Sequence, residues 1–577
     1  MTKKTFNVAD YLLTRLKQLN VTEVFQIPGD YVKHFTQTLE YFPGIETIGT
    51  TNELDAAYAA DAYGRTRGMA AVSLQYGVST FSALNAVAGA YVERSPMIVI
   101  SATPSAADRR NTKKYGILYH HSTGNLNADR DIFDYVTVGA DTISTAKSAP
   151  KKIDQLIVAA LTHKRPVYVA CYEEVWGQPC ARPSSKPLKA LPPRSNKTNL
   201  KKAVDRAWQM IQDADNPMIF AGVEVLRHGL SNLLQDIINA SGFLYTTTSL
   251  GKTVLDERGN KFIGTYADVA SIPQVPQLVD EADCYLTLGT IITDDYVSFM
   301  KSKYGEMILA TTEETRVGKT KFAGVALEDF MKAILRKFKS SKQYPSKVIA
   351  PAPPSYPEPW ISNSDPKYNT KRNAEILTYN RFFQHSMKFL TDNNMLKDIV
   401  WTFGVSSAMY VATNAYGLYQ NSYIASAAWQ CIGFETGAAS GAQLGSGKRA
   451  WTVAGDGGFM MICQAVSTCA KYNLDAVIFV MNNGVYAIEQ VFVDLDAFKR
   501  GKQYKFDEFD ILGKWDYMAL AKAYGAEGYQ VKDVSGLKRT LKKISVRKPK
   551  RQRKPILVEV QIPEKNLASQ MARLGEE

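Results

Sequence analysis

The sequence predicts an α/β fold in which three domains each contain a doubly wound parallel sheet. Short apolar runs alternate with stretches of helical periodicity along the 577 residues, as is typical of parallel sheets covered by helices. Two segments rich in proline and charged residues divide this pattern into thirds. A hydrophobic fraction of 45% and a charged fraction of 22% exclude a disordered or fibrous chain.

The first block, residues 1–182, contains five predicted strands separated by predicted helices. The strands are expected at Val24–Ile27, Ile45–Thr50, Ala70–Leu74, Met97–Ser101 and Pro166–Ala170. The helices are expected over Thr5–Asn20, Tyr31–Leu39, Leu54–Tyr63 and Ser79–Arg94. The polar stretch from Pro104 to Asn127, which contains His120 and His121, is expected to be a loop.

The middle block, residues 197–342, repeats the alternation with predicted strands at Met218–Val223, Phe243–Thr246 and Cys284–Leu288. Gly251-Lys252 could belong to a nucleotide site, but no complete phosphate-binding pattern follows it, and a structural domain is favoured. Linkers are predicted at residues 183–196 and 343–368 on either side of this block.

The third block, residues 369–577, carries a strand–turn–helix–strand unit whose residue types suit ligand binding. A strand at Ala450–Ala454 leads into the Gly455–Gly458 turn, and a strand at Ala476–Met481 leads into Asn482-Asn483. The carboxyl ends of parallel strands meet at one sheet edge, where ligands bind. Glycines allow close approach of a phosphate, and Asp456 and Asn483 offer the oxygen ligands that Mg²⁺ prefers. The unit therefore predicts a metal-bridged diphosphate site.

The charge and the cysteines narrow the class of protein. The formal net charge is +13, and Lys538–Lys554 contains ten Lys or Arg and no acid. This segment could bind nucleic acid or an acidic surface, but it has no interleaved aromatic residues, so a solvated helix and loop is favoured. Six cysteines without C-x-x-C spacing, no signal-like N-terminus and no apolar run near the roughly 18 residues of a spanning helix predict a cytoplasmic protein that binds neither nucleic acid nor membrane.

The turn and its partner strand resemble the thiamine diphosphate motif, because 24 residues separate Gly455-Asp456-Gly457 from Asn482-Asn483. Other segments resemble the pyruvate decarboxylase family over nearly the full length, including its indolepyruvate and branched-chain 2-keto acid members. These segments are Pro28–Tyr31, Asn52–Leu54, His120–Asn125 and Ile488-Glu489. The resemblance implies pyrimidine-binding, central and diphosphate-binding domains in that order.

The resemblance also implies a reaction. A 2-oxo acid would lose CO2 through a thiamine diphosphate ylid and an enamine, and an aldehyde would be released. Glu53 would hydrogen-bond the aminopyrimidine ring and favour its imino tautomer. The proton donors and acceptors would be Asp30, His120, His121 and Glu489.

The remaining implied roles concern the cofactor and the metal. Ile432 would wedge the two cofactor rings together, and the Gln430 carbonyl would meet the exocyclic amine. Gly457 and Gly458 would approach the diphosphate. Mg²⁺ would be held by Asp456, Asn483 and the Val485 carbonyl, and Ile488 would contact cofactor and substrate.

One departure from the family bears on the substrate. Phe403 stands where pyruvate-specific relatives have a polar residue, so it is predicted to line the substrate pocket and to favour a branched, long aliphatic or aromatic 2-oxo acid. The family builds its sites between subunits, which implies a homodimer or homotetramer. The alternatives are a carboligase of the acetolactate synthase or benzaldehyde lyase type, and a binding protein that uses Lys538–Lys554.

Overall fold

The computed structural model describes residues 5–341, 375–499 and 501–576, and three sheets organise these ranges. The predicted linker 343–368, and the predicted start of the third domain at 369, lie outside the described residues. Residues 183–196 contain no helix or strand, and helix α9 begins directly after them at Lys197. The expected fold class, three α/β domains with parallel sheets, is confirmed.

The first sheet is parallel and has the strand order β2-β1-β3-β4-β6-β5. Its strands are β1 (Glu23–Gln26), β2 (Glu46–Gly49), β3 (Ala70–Ser73), β4 (Met97–Thr103), β5 (Ala140–Ile143) and β6 (Val167–Tyr172). Its helices are α1 (Val8–Gln18), α2 (Lys33–Glu40), α3 (Glu53–Arg67), α4 (Val78–Ser82), α5 (Leu84–Val92), α6 (Ala106–Tyr115), α7 (Ala128–Phe133) and α8 (Ala149–His163). Every residue of β4 is buried, as expected for a central strand covered on both faces.

Two elements of this sheet differ from the sequence prediction. The expected loop after Pro104 begins instead with helix α6, which a capping box between Ser105 and Asp108 starts. No residue of α6 is buried, so it has no apolar face that periodicity could detect. Edge strand β5 is only partly buried and contains Asp141 and Thr142, and the sequence analysis did not predict it.

The second sheet has the order β13-β12-β11-β10-β7-β8-β9 and is parallel except at β12 and β13. Its strands are β7 (Pro217–Ala221), β8 (Leu244–Thr247), β9 (Phe262–Thr265), β10 (Cys284–Leu288), β11 (Met307–Ala310), β12 (Thr315–Val317) and β13 (Thr320–Lys321). Its helices are α9 (Lys197–Gln212), α10 (Val223–Arg227), α11 (Ser231–Ser241), α12 (Gln274–Asp280), α13 (Val297–Lys303) and α14 (Leu327–Ser340).

The third sheet is parallel with the order β15-β14-β16-β17-β19-β18. Its strands are β14 (Ile399–Phe403), β15 (Tyr423–Ala425), β16 (Arg449–Gly455), β17 (Val477–Asn482), β18 (Glu527–Val531) and β19 (Ile556–Gln561). Its helices are α15 (Tyr379–Asp392), α16 (Ser407–Thr413), α17 (Phe434–Ser446), α18 (Asp456–Ile462), α19 (Ala465–Lys471), α20 (Ala487–Val493), α21 (Tyr517–Ala523), α22 (Val534–Ser545) and α23 (Ser569–Gly575). Gly455 pairs with Met481, so the ends of β16 and β17 lie side by side at one edge.

The chain divides into two compact units. The first consists of Met1–Leu191, Thr436–Ala450 and Ile462–Ala476, and the second of Pro192–Glu435, Trp451–Met461 and Val477–Glu577. In the first unit, Gly441 of α17 packs directly on the backbone of α3, because a Cβ at this position would lie 1.8 Å from the Ala59 carbonyl oxygen. No helix among the described residues is long and apolar enough to cross a membrane.

Candidate active site

Glu53 is the first residue of helix α3, and its position follows from the capping of that helix. The Asn52 side chain accepts a hydrogen bond of 2.8 Å from the backbone N–H of Asp55, which starts the helix. The Glu53 carboxylate is half-buried and accepts a 2.7 Å hydrogen bond from the Ser79 hydroxyl. A carboxylate at this first turn is stabilised by the helix dipole and keeps further lone pairs for a ligand.

Asp30, His120 and His121 form a cluster in the same unit. The Asp30 Oδ2 and His120 Nε2 atoms lie 2.9 Å apart, and the two imidazole centroids lie 4.6 Å apart. One ligand-type atom from each of the three residues lies within 4.8 Å of the other two. The structure therefore brings together three of the residues that the sequence analysis assigned to proton transfer.

The surroundings of this cluster hold it in place. Gln75 Nε2 donates a 2.8 Å hydrogen bond to Asp30 Oδ1, and the Tyr76 hydroxyl donates one to the His120 carbonyl. Partial burial raises the pKa of Asp30, but its hydrogen bond with His120 and the charge of that ring outweigh the burial, and the pKa lies below its ordinary value. His121 has a left-handed φ of 66°. Because a Cβ on Gly77 would lie 2.1 Å from the His121 carbonyl oxygen, this approach requires glycine.

Asp456 occupies the turn at the carboxyl end of β16. Its Oδ2 atom accepts backbone hydrogen bonds of 3.1 Å from Asn483 and 2.6 Å from Gly484, and its Oδ1 atom accepts one of 3.0 Å from Gly457. These bonds join the Gly-Asp-Gly turn to the Asn-Asn segment that follows β17. Burial raises the pKa of Asp456 to about 6, although the backbone N–H groups oppose that rise.

A cavity of about 190 Å³ opens beside this turn in the second unit. It is lined by nearly all the residues predicted for the cofactor and the metal, namely Gln430, Ile432, Asp456, Gly457, Gly458, Asn483, Val485 and Ile488, and also by Glu489, which was predicted for proton transfer. The predicted diphosphate-site residues of the third block are therefore brought together in one place.

The residues present fit a magnesium diphosphate group. Asp456 and Asn483 supply hard oxygen atoms, and the buried Asn483 Nδ2 has no hydrogen-bond partner among the described residues. Gly457 leaves no room for a side chain, since a Cβ there would lie 2.1 Å from the Tyr486 ring. Glycine at position 457 is therefore required by the packing of Tyr486 against this turn.

Gln430 adopts an unusual backbone conformation next to the cavity. Its φ of 55° lies in the left-handed region, which disfavours residues other than glycine. Its side-chain Nε2 donates a 3.0 Å hydrogen bond to Asp295 Oδ2 of the central domain. This bond helps to hold the left-handed backbone conformation of Gln430. The sequence analysis did not predict Asp295 as part of the site.

Phe403 does not line the cavity, contrary to the sequence prediction. It is the last residue of β14 and is 1% exposed within the core of the third domain. Its ring stacks on Tyr423 at a centroid distance of 4.9 Å. Val405 and Ser406, which follow Gly404, reach the cavity instead, because β14 ends at Phe403 and the chain turns there.

The predicted residues thus form two groups, one in each compact unit. Glu53, Asp30, His120 and His121 belong to the first unit, and the cavity residues belong to the second. The sequence analysis missed the polar partners Gln75, Ser79 and Asp295, and also Tyr486. Gln75 and Ser79 follow the end of strand β3 closely, which is the sequence signal that could have identified them.

Three family profiles match the chain in order. The N-terminal TPP binding domain of thiamine pyrophosphate enzymes matches residues 6–129, the central domain matches residues 204–338, and the C-terminal TPP binding domain matches residues 404–560. Together the three profiles cover most of the chain, and each corresponds to one of the three sheets.

Curated proteins with similar sequences are similar over nearly their whole length. Pyruvate decarboxylase isozyme 3 of Saccharomyces cerevisiae is 29% identical, and the alignment covers 90% of this chain and 89% of that protein. Pyruvate decarboxylase of Kluyveromyces marxianus is 28% identical over 98% of this chain and 96% of its own length. The Aspergillus fumigatus pyruvate decarboxylase is 27% identical over 92% and 90%.

Proposed function

Because the chain belongs to the thiamine diphosphate-dependent 2-oxo acid decarboxylases, we propose that it converts a 2-oxo acid larger than pyruvate into an aldehyde and CO2. The observation that carries the proposal is the cavity in which Asp456 and Asn483 meet Gln430 and Ile432. When bound, thiamine diphosphate supplies a nucleophilic carbon and an electron sink for the loss of CO2.

The chain's own residues position the cofactor and move protons. Glu53 is proposed to accept a hydrogen bond from the aminopyrimidine ring, with Ser79 orienting its carboxylate. Asp30, His120 and His121 are proposed to donate and accept the protons of the later steps. The 2.9 Å contact between Asp30 Oδ2 and His120 Nε2 supports this role, because it places two groups that can exchange a proton within hydrogen-bonding distance.

The cofactor and metal ligands are proposed from the third domain. Asp456, Asn483 and the Val485 carbonyl would hold Mg²⁺, and Gly457 and Gly458 would lie against the diphosphate. The Gln430 carbonyl and the Ile432 side chain would position the cofactor rings. The support for this set is that its members line one cavity with hard oxygen atoms.

The proposed substrate size depends on the lining of the cavity. Phe403 no longer supports a large substrate, because its ring lies in the core. The support that remains is the apolar lining by Val405, Ile488 and Phe492, which favours a branched, long aliphatic or aromatic side chain.

We also propose that the working enzyme is a homodimer or homotetramer with its sites at subunit interfaces. Glu489 is exposed, and the side chains of Asp30 and His120 are both 57% exposed in the single chain. Residues that transfer protons during a decarboxylation are more effective when water is excluded, so a second subunit is expected to cover them. Phe492 and Phe509 are exposed apolar residues that suit such a contact.

We also propose the domain boundaries and the cellular location of the protein. The domains are 1–182, 197–342 and 369–577, which agree in order with the three matched family profiles. A cytosolic location is supported by the cysteines, none of which forms a disulfide bond.

The test is CO2 release from a panel of 2-oxo acids by the full-length protein, with and without thiamine diphosphate and Mg²⁺. The panel contains pyruvate and branched, long aliphatic and aromatic 2-oxo acids. Cofactor-dependent turnover with a higher kcat/KM for a larger acid than for pyruvate is expected. No turnover of any acid would contradict the reaction, preference for pyruvate would contradict the substrate size, and ligation products in excess of aldehyde would favour the carboligase.

A further inference from the structure

Glu435 is a buried carboxyl group that packs against Gly458, one of the glycines lining the proposed cofactor cavity. It lies in the first turn of α17, three residues after the cavity-lining Ile432, and is 2% exposed. A charged residue of this kind is rarely so buried without a partner. The groups that contact the Glu435 carboxyl group therefore indicate its role.

The Glu435 carboxyl group occupies a slot between two glycines. A Cβ on Gly404 would lie 1.9 Å from its Oε2 atom, and a Cβ on Gly458 would lie 2.6 Å from its Oε1 atom. Gly458 lines the cavity, and Gly404 precedes the lining residues Val405 and Ser406. The carboxyl group is thus in contact with the turn at which the diphosphate is proposed to bind.

The hydrogen bonds of Glu435 leave one oxygen unused. The backbone N–H groups of Glu435 and Gly433 donate to the carboxyl group, while Oε2 is buried and has no hydrogen-bond partner among the described residues. The chain as described contains no ion pair between Glu435 and a lysine, arginine or histidine. These backbone hydrogen bonds account for part of the carboxyl group but leave Oε2 without a partner.

The electrostatic environment of Glu435 decides whether its carboxyl group is protonated or ionised. Burial raises the pKa of Glu435 to about 8, and the two backbone N–H groups only partly oppose that rise. The acids that line the cavity are Asp456 and Glu489, and neither can neutralise a carboxylate. An anionic diphosphate beside Glu435 would disfavour its ionised form further, so the group is expected to be protonated at neutral pH.

We propose that Glu435 is a cofactor-binding residue that retains its proton and donates a hydrogen bond from its carboxyl O–H, across the Gly458 turn, to an anionic oxygen of the diphosphate. This inference rests on the proposed cofactor site. Ionisation of Glu435 would replace that hydrogen bond with repulsion between two anions. Cofactor affinity is therefore constant at pH values where Glu435 is protonated, and it falls by up to tenfold per pH unit once the group ionises.

The test is calorimetric titration of the full-length apoprotein with thiamine diphosphate and Mg²⁺ between pH 6.5 and 9. Three proteins are compared, namely the wild type, Glu435→Gln and Glu224→Gln. Glutamine keeps an N–H donor at every pH, whereas Glu224 is a buried glutamate of the central domain that is hydrogen-bonded to Thr312 and serves as the control. The wild type and Glu224→Gln are expected to bind about tenfold more weakly at pH 9 than at pH 7, while Glu435→Gln changes less than threefold.

Equal pH dependence in the wild type and Glu435→Gln would overturn the inference, as would constant wild-type affinity up to pH 9. If Glu435→Gln does not fold, the wild type is titrated with inorganic diphosphate and Mg²⁺. Loss of diphosphate affinity above pH 8 then supports the inference, and unchanged affinity overturns it. A wild-type protein that binds no cofactor at any pH would refute the proposed function instead.

Discussion

Replacing Lys252 with methionine is expected to destabilise the second compact unit strongly. The Lys252 ammonium is fully buried and donates hydrogen bonds of 2.8 Å to Glu257 Oε1 and 2.7 Å to the carbonyl of Ala415. Glu257 is buried as well, and its Oε2 atom accepts a 3.2 Å bond from the backbone N–H of Leu418. Methionine fills a similar volume but removes the charge, these two hydrogen bonds and a longer one of 3.4 Å to the Thr265 hydroxyl.

The magnitude follows from what the substitution leaves behind. Removing one partner of a buried ion pair costs about 3–5 kcal/mol, because the other charge stays buried without compensation. The Ala415 carbonyl oxygen also loses its hydrogen-bond donor, and the free-energy cost of that loss falls within the same range. The second compact unit has about 350 residues, and at an unfolding entropy of about 2.1 cal/mol/K per residue each kcal/mol lowers its Tm by about 1.3 °C, so a fall of about 4–7 °C is expected.

The assay is thermal unfolding of the full-length protein followed by tryptophan fluorescence. The control is Lys201→Met, whose ion pair with Asp205 is similarly short but exposed, and whose Tm is expected to match the wild type. The double variant Lys252→Met/Glu257→Gln is expected to recover at least half of the loss, because the buried charge is gone. A Lys252→Met protein as stable as Lys201→Met would refute the reasoning and reopen the alternative that Gly251-Lys252 binds a nucleotide.

Three further variants test the catalytic, packing and electrostatic arguments. Glu53→Gln is expected to lower CO2 release by about 10²-fold or more while cofactor affinity, measured by titration, changes less than tenfold, and turnover within tenfold of the wild type would contradict its role. Gly441→Ala is expected to destabilise the first unit by about 1–3 kcal/mol in urea unfolding, whereas Gly305→Ala, which meets no atom within 4 Å, is expected to have a smaller effect. Burial raises the pKa of Asp55 to about 6, so its ionisation in the folded state is unfavourable and stability falls as pH rises from about 4 to about 6. Relative to Asp55→Asn, the wild type should lose about 3 kcal/mol across that window, and parallel stability curves for the two proteins would show that Asp55 does not titrate there.

The strands and the diphosphate turn could be predicted from the sequence because local spacing determines them. Apolar runs bounded by glycine, proline and polar residues gave strand positions within a few residues of β1, β4, β16 and β17. The glycines and Asp456 of the turn follow one strand directly, and Asn483 follows the next. Parallel pairing then brings the two strand ends to one edge, as the pairing of Gly455 with Met481 shows.

Side-chain partners across long sequence distances could not be predicted in this way. Ser79 meets Glu53, and Asp295 meets Gln430, only because separate elements fold against each other. Helix α6 was mistaken for a loop because it buries no residue and carries no apolar periodicity. Such contacts and exposed helices have no counterpart in the spacing of residues along the chain.

The sequence by itself determined the fold class, the order of the three domains and the residue types of the diphosphate turn. These features depend on periodicity and on short motifs, whose structural preferences are local and do not depend on the rest of the fold. Only the tertiary structure decided that Phe403 lies in the core and that Glu435 lies against Gly458 at the cavity. Which face a side chain takes at the end of a strand, and which backbone it then touches, is decided by packing between elements rather than by the residue's own position in the sequence.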